Sequence, residues 1–153
     1  DKIFEYILER GYSDFLVEIG GEIRSSNNIK DSWIIGVQNP TLNSIIKKVK
    51  LKNKSMATSG TYNNFFTYEE KTYSHILNPK TGYPYIYNSI SATIITDKCI
   101  DADAYATLAM TMHPDEVIKL INKDSNAECY ILEVQDDKII EHKSNGFDVF
   151  TLF

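Results

Sequence analysis

The sequence predicts an α+β domain: a mainly antiparallel sheet with packed helices. Three observations carry this. β-prone runs fill most of residues 15–96, a stretch rich in Ala, Leu and Met follows, and two more β-prone runs close the chain. Strands and helices come in irregular order, without the regular strand–helix alternation of a parallel sheet. At 153 residues, with 42% hydrophobic and 24% charged, the chain fits one domain, 1–153, with a core of its own.

Each element has its own signal. Ile3, Phe4, Ile7 and Leu8 form one apolar stripe followed by Gly11, so residues 2–10 read as an amphipathic helix. Phe15 to Ile19 is a short strand ending at Gly20-Gly21, and Trp33 to Val37 is a second, closed by Asn39-Pro40. Lys48 to Thr58 alternates and reads as one strand leading into Ser59-Gly60, with Val49 and Leu51 turned away from the lysines. Tyr62 to Tyr68 and Tyr73 to Ile76 flank a turn at Glu69-Glu70-Lys71, and Ser89 to Thr96 is β-branched and well buried. Asp101 to Met112 is a helix. Pro114 opens another at a first-turn position, with Val117, Ile118 and Ile121 facing inward. Glu128 to Val134 and Lys138 to His142 form a closing hairpin around Asp136-Asp137.

The formal net charge of −5 argues against a nucleic-acid surface, which needs a basic stripe. The one basic cluster, Lys47, Lys48, Lys50, Lys52 and Lys54, is the solvent face of a strand. No apolar run reaches the roughly 18 residues needed to span a bilayer, and no signal peptide opens the chain. Cys99 and Cys129 lack metal or redox spacing and read as buried thiols, which leaves the compartment open.

Four segments carry the chemistry. Gly20-Gly21, after a buried strand and before Glu22, lets a ligand or another backbone come close; taken alone, a tight bend explains the pair better. Thr58-Ser59-Gly60 can offer N–H and O–H donors to a phosphate, or can be an ordinary turn; it lacks the spacing of a Walker loop. His75 precedes a loop set by Asn78-Pro79, Thr81-Gly82 and Pro84, where imidazole can move a proton or bind a phosphate, although a lone strand-end His is more often structural. His113 and His142 are surface or capping groups. Asp103 and Thr107 lie four apart on one helix face and offer two hard oxygens to Mg²⁺ or Ca²⁺; taken alone, the residue types favour a cap at Asp103 and a back-bonded hydroxyl at Thr107. Asp101 is the candidate helix cap.

Taken in order, these segments resemble the ApbE family of FAD:protein FMN transferases. Phe15 to Glu22 is similar to the family's strand ending in Gly-Gly and an acid, and Trp33-Ile34-Ile35-Gly36-Val37 with Asn39-Pro40 to its next strand. Thr58-Ser59-Gly60-x-Tyr62, Ser74-His75-Ile76-x-Asn78-Pro79-x-Thr81-Gly82 and Ala102-Asp103-Ala104-x-Ala106-Thr107 complete the set across residues 15–107. The resemblance implies an ApbE-like, T-fold-like architecture and a Mg²⁺-dependent reaction, with Ca²⁺ or Mn²⁺ as alternatives. FAD is cut at its pyrophosphate, AMP leaves, and FMN is joined to a Ser or Thr of a target flavoprotein. It further implies Asp103, Thr107 and the Ala106 carbonyl as metal ligands and His75 as the catalytic or phosphate-orienting imidazole. Gly20, Gly21, Glu22, Thr58, Ser59, Gly60 and His75 are then the nucleotide-binding set.

Two departures stand out. The family has Asp where this chain has Asn78, which keeps the turn but loses a charge. The family is also about twice this length. Asp1 matches the Asp after a Lys-Gly segment, so the chain corresponds to the C-terminal half. The absent half carries part of the FAD pocket, a further backbone ligand to the metal, and the lipoprotein cysteine that tethers members outside the bacterial cell. The chain is therefore expected to fold but to turn over little by itself. FAD hydrolysis to FMN and AMP, and a flavin-binding module without turnover, are the competing functions. A homodimer is left open.

Overall fold

Along the central strands, neighbouring residues bury into different cores. Met56, Ile95, Tyr130 and Leu132 join one cluster, whereas Ala57, Ile94, Cys129 and Ile131 join the other. A strand presents successive side chains to opposite faces, so the sheet they belong to is covered on both sides. This explains why Ser89 to Thr96 is almost wholly buried, its hydroxyl residues included.

The computed structural model describes all residues except 29, 30, 43, 62–64, 69, 70, 86–88, 125, 137 and 153, and only the backbone of 65–68, 71, 72 and 74. In chain order the elements are α1 (Lys2–Glu9), β1 (Phe15–Ile19), β2 (Glu22–Ser26), β3 (Trp33–Gln38), β4 (Ile45–Leu51), β5 (Ser55–Gly60), β6 (Phe65–Tyr68) and β7 (Lys71–Ser74). Then come β8 (Ser89–Thr96), α2 (Cys99–Ala109), α3 (Pro114–Ile121), β9 (Glu128–Gln135), β10 (Lys138–Lys143) and a 3₁₀ turn, Phe147–Phe150. A six-stranded sheet runs β1-β2-β5-β8-β9-β10 with every pair antiparallel, beside two-stranded ribbons β3–β4 and β6–β7. The fold is α+β and mainly antiparallel. Helices α2 and α3 cover one face of the large sheet through Ala102, Ala106, Ala109, Val117 and Ile121. The β3–β4 ribbon and the 3₁₀ turn cover the other through Val37, Val49, Leu51 and Phe147. Among the described residues no helix is long and apolar enough to cross a membrane.

Val49 and Leu51 are fully buried, as the lysine alternation predicts. Residues 48–58, however, are not one strand. Asn53 turns the chain at φ 52, and its side chain is held there: Asn27 N–H donates to Asn53 Oδ1 at 2.7 Å and Asn53 Nδ2 donates to the Asn27 carbonyl at 3.2 Å. The Lys–apolar alternation carries across this turn and hides it. Ser59 and Gly60 are not a loop either; they continue β5, opposite Ala92 and Ser91. Strand β2 lies beyond the sequence expectation altogether, because Glu22-Ile23-Arg24-Ser25-Ser26 has one apolar residue and owes its place to pairing with β1 and β5. The second strand of the β6–β7 ribbon ends at Ser74, so His75 lies past it; Tyr62, Glu69 and Glu70 lie outside the described residues. Of the α1 stripe only Phe4 is buried, against the Phe15 ring at 4.9 Å, while Ile3 and Leu8 are exposed. The helix lies at the sheet's outer edge, beside edge strand β1, where one side chain reaches the core.

Candidate functional site

Helix α2 is held close to the sheet by Ala102, Ala106 and Ala109, which have no exposed surface. Methyl groups at this spacing let helix and strand backbones approach. Asp103 and Thr107 occupy the exposed side, one turn apart. Ser59 on β5 faces the same helix, and its Oγ lies 3.3 Å from Thr107 Oγ1. Residues 48 apart in sequence thus bring two of the four segments together.

Thr58 points the other way. Its hydroxyl lies 2.9 Å from the Thr93 hydroxyl across the strand pair. It also lines a cleft of about 330 Å³ with Gly20, Gly21, Ile35, Gly36 and Gln38. Gly20 and Gly21 turn the β1–β2 hairpin at φ 71 and 106, conformations that Gly alone adopts freely. The Thr58-Ser59-Gly60 segment is therefore not one donor loop: period-two alternation sends Thr58 to the cleft and Ser59 to α2. Thr93, Ile35 and Gln38 carry no sequence signal that marks them, because only the strand pairing and the ribbon place them here.

Glu22 lies on the α2 side. Burial pushes the Cys99 thiol up, and the Glu22 and Asp103 carboxylates push it further, while Arg24 acts the opposite way. Both acids thus surround the first turn of α2. Asp101 does not cap that helix. The N-cap position is Lys98, which makes no side-chain cap bond, and Asp101 sits in the first turn, where a carboxylate favours the positive end of the helix dipole.

His75 is exposed immediately after β7. Its neighbour Ile76 packs on the cluster that includes Ala57, Ala102 and Ala106, which moors the His75 loop to the α2 side of the sheet. Beyond it the chain turns back: Asn78 N–H donates to the Tyr83 carbonyl at 2.8 Å, and Asn78 Oδ1 accepts the Lys80 N–H at 2.9 Å. Asn78 thus makes the turn with a neutral side chain. His113 caps α3 through Nδ1, and His142 pairs with Glu133 at 2.8 Å.

The sequence model of the ApbE family matches residues 1–131. The chain belongs to the ApbE family. The FAD:protein FMN transferase of Vibrio cholerae is 30% identical over 154 residues, 98% of this chain and 46% of that protein. That of Escherichia coli K12 is 28% identical, over 98% of this chain and 44% of that protein. Among solved structures, the flavin transferase ApbE from Vibrio cholerae matches with a TM-score of 0.83 and 28% identity, over 98% of this chain and 48% of that one. The ApbE protein of Thermotoga maritima matches at 0.79 and 31%, over 91% and 45%. The chain spans about half the length of the curated relatives it matches.

The donors of this ApbE-family chain suit a hard divalent cation. Among the described residues no three His, Cys, Asp or Glu side chains cluster as metal ligands, so a zinc-type cage is not what α2 offers. Asp103 and the Thr107 hydroxyl are oxygen donors open to solvent, and Mg²⁺ is commonly held by one or two protein oxygens plus water and substrate phosphate. The Met110 N–H donates to the Thr107 carbonyl at 3.2 Å at the end of the helix. Ala106 itself faces the buried side.

Proposed function

We propose that this chain forms the metal-binding part of a FAD:protein FMN transferase. The observation that supports this best is the approach of Ser59 on β5 to Thr107 on α2, one helical turn from Asp103, within a member of the ApbE family. Strand β5 links nucleotide cleft and metal face, since Thr58 faces the glycine-lined cleft and Ser59 faces the helix of hard oxygen donors.

In this reading a Ser or Thr hydroxyl of a target flavoprotein attacks the FMN phosphorus of FAD. The new O–P bond forms as the bond to the bridging oxygen breaks, and AMP leaves with that oxygen. A ring nitrogen of His75 takes the hydroxyl proton or orients the phosphate. Asp103, Thr107 and the Ala106 carbonyl hold Mg²⁺, or Ca²⁺ or Mn²⁺ in its place, and Ser59 fixes the hydroxyl of Thr107. When bound, the cation supplies Lewis-acid neutralisation of the pyrophosphate charge. Gly20, Gly21, Glu22, Thr58 and Gly60 line the path of the nucleotide.

The test is to incubate the full-length protein with FAD, Mg²⁺ and a target domain and to read protein-bound flavin fluorescence on a denaturing gel. We expect labelling of the target, and a loss of at least about a hundredfold in Asp103→Ala. Free FMN without labelled target would instead mean that water replaces the hydroxyl, and an undiminished rate in Asp103→Ala would overturn the metal assignment.

A further inference from the structure

Helix α2 carries Asp103 and Thr107, yet nothing local holds its start, since Lys98 makes no cap bond. The open amides are taken from far away. Asp1 Oδ1 accepts the Cys99 N–H at 3.1 Å and Asp1 Oδ2 accepts the Ile100 N–H at 2.9 Å. The same carboxylate accepts Arg24 Nη1 at 2.6 Å, and the two side chains are only 17% and 18% exposed. Arg24 lies over the Phe4 ring at 4.1 Å, and the Asp1 carbonyl accepts the Glu5 N–H at 2.9 Å. One residue thus ties α1, β2 and α2 together.

We infer that Asp1 is a positioning residue for the metal-binding face of α2. The inference rests on the metal assignment proposed above. Two physical arguments carry it. The fully buried positions of α2 are alanines, which pack closely, and its large anchors, Tyr105 and Met110, come from its second half, so no bulky side chain fixes its first turn. The Asp1 clasp fixes that turn instead, and Asp103 follows Ile100 by about 4.5 Å of helical rise. The second argument is charge. Arg24 stands at the first turn of α2, because the carboxylate that accepts its Nη1 also accepts the Cys99 and Ile100 amides. A guanidinium left unpaired there would repel a cation, and Asp1 neutralises it.

The experiment separates positioning from capping, using the full-length protein and Mg²⁺ alone as the probe, by calorimetry. Asp1→Ala is expected to weaken Mg²⁺ binding at least about tenfold, the scale on which residues behind metal ligands act, and to speed hydrogen exchange at the Cys99 and Ile100 amides. Lys98→Ser added to Asp1→Ala gives the helix a local cap but leaves β2 and Arg24 unclasped. It should restore the melting temperature and not the affinity. If Asp1→Ala does not fold, Asp1→Asn keeps an acceptor without the charge and should lose affinity while remaining folded. Affinity fully restored by Lys98→Ser would reduce Asp1 to a cap. Unchanged affinity in both Asp1 variants, while Asp103→Ala abolishes binding, would overturn the inference alone. Absence of Mg²⁺ binding in the unmutated protein, or binding indifferent to Asp103→Ala, would remove the metal assignment and the inference with it.

Discussion

Cys129 has no exposed surface, and burial raises its thiol from 9.0 to about 11, against the lowering effect of its bonds with Ser144. The other cysteine, Cys99, partly exposed at the start of α2, is also raised, chiefly by burial. Thiolate is the reactive form, so native protein should react slowly with iodoacetamide at about pH 8 at Cys99 and not at Cys129, with both modified in denaturant. Mass spectrometry of the alkylated peptides checks this; rapid native labelling of Cys129 would contradict it. The same shift fixes a pH window. An unfolded chain ionises this thiol near 9.0 and the folded chain only near 11. Its contribution to stability is therefore whole below pH 9.0 and falls between there and about 11, by roughly 1.4 kcal/mol per pH unit at most. At this scale the sequence is informative about residue types and silent about partners. The Asp103–Thr107 pair is legible because a helix has a fixed period. Ser59 against Thr107, Thr58 against Thr93, and Asp1 at the head of α2 depend on chain folding over tens of residues, and no local pattern encodes them.

Helix α2 shows how an element carries a candidate site without much apolar bulk. Its buried positions are Ala102, Ala106 and Ala109, and their small size sets the distance at which Thr107 meets Ser59. Ala102→Leu adds three carbons where the helix already touches the sheet. Overpacking of this kind costs about 1–3 kcal/mol, so the variant should melt at lower temperature with an unchanged fold by circular dichroism. Because α2 must move outward, Mg²⁺ affinity should fall too; a variant as stable as the parent would show that the helix has free space beneath it. Elements with a strong periodic or β-branched signal were legible in sequence: β8 matches its expected bounds, and α3 starts at Pro114 with Val117 and Ile121 buried. Those that failed share a cause. β2 and the β4–β5 break are defined by long-range pairing and by an Asn at φ 52 tied to Asn27, features that leave the local alternation intact.

At the scale of the whole molecule, the six-stranded sheet closes a core on each face from its own helices and its own ribbon. That is what a chain needs to fold cooperatively, because strands buried on both sides gain from both clusters at once. The periphery differs. Ile3, Tyr6 and Leu8 on α1, Tyr12 after it and Ile19 at the end of edge strand β1 are all about half exposed or more. The curated relatives carry about as much sequence again as this chain matches. Two consequences follow for the 153 residues expressed alone. They should unfold in a single cooperative transition by circular dichroism, and they should associate with rising concentration in sedimentation velocity, driven by the apolar side chains around α1 and β1. Fluorescence titration should show FAD bound at least about tenfold more weakly than by the full-length protein, because the cleft beside Gly20 and Gly21 is about 330 Å³ and at the low end for a small-molecule pocket. Equal FAD affinity in the two forms would mean that the cleft and α2 suffice for the nucleotide. A monomer at every concentration would mean that the apolar side chains of α1 and β1 are too scattered to act as one surface.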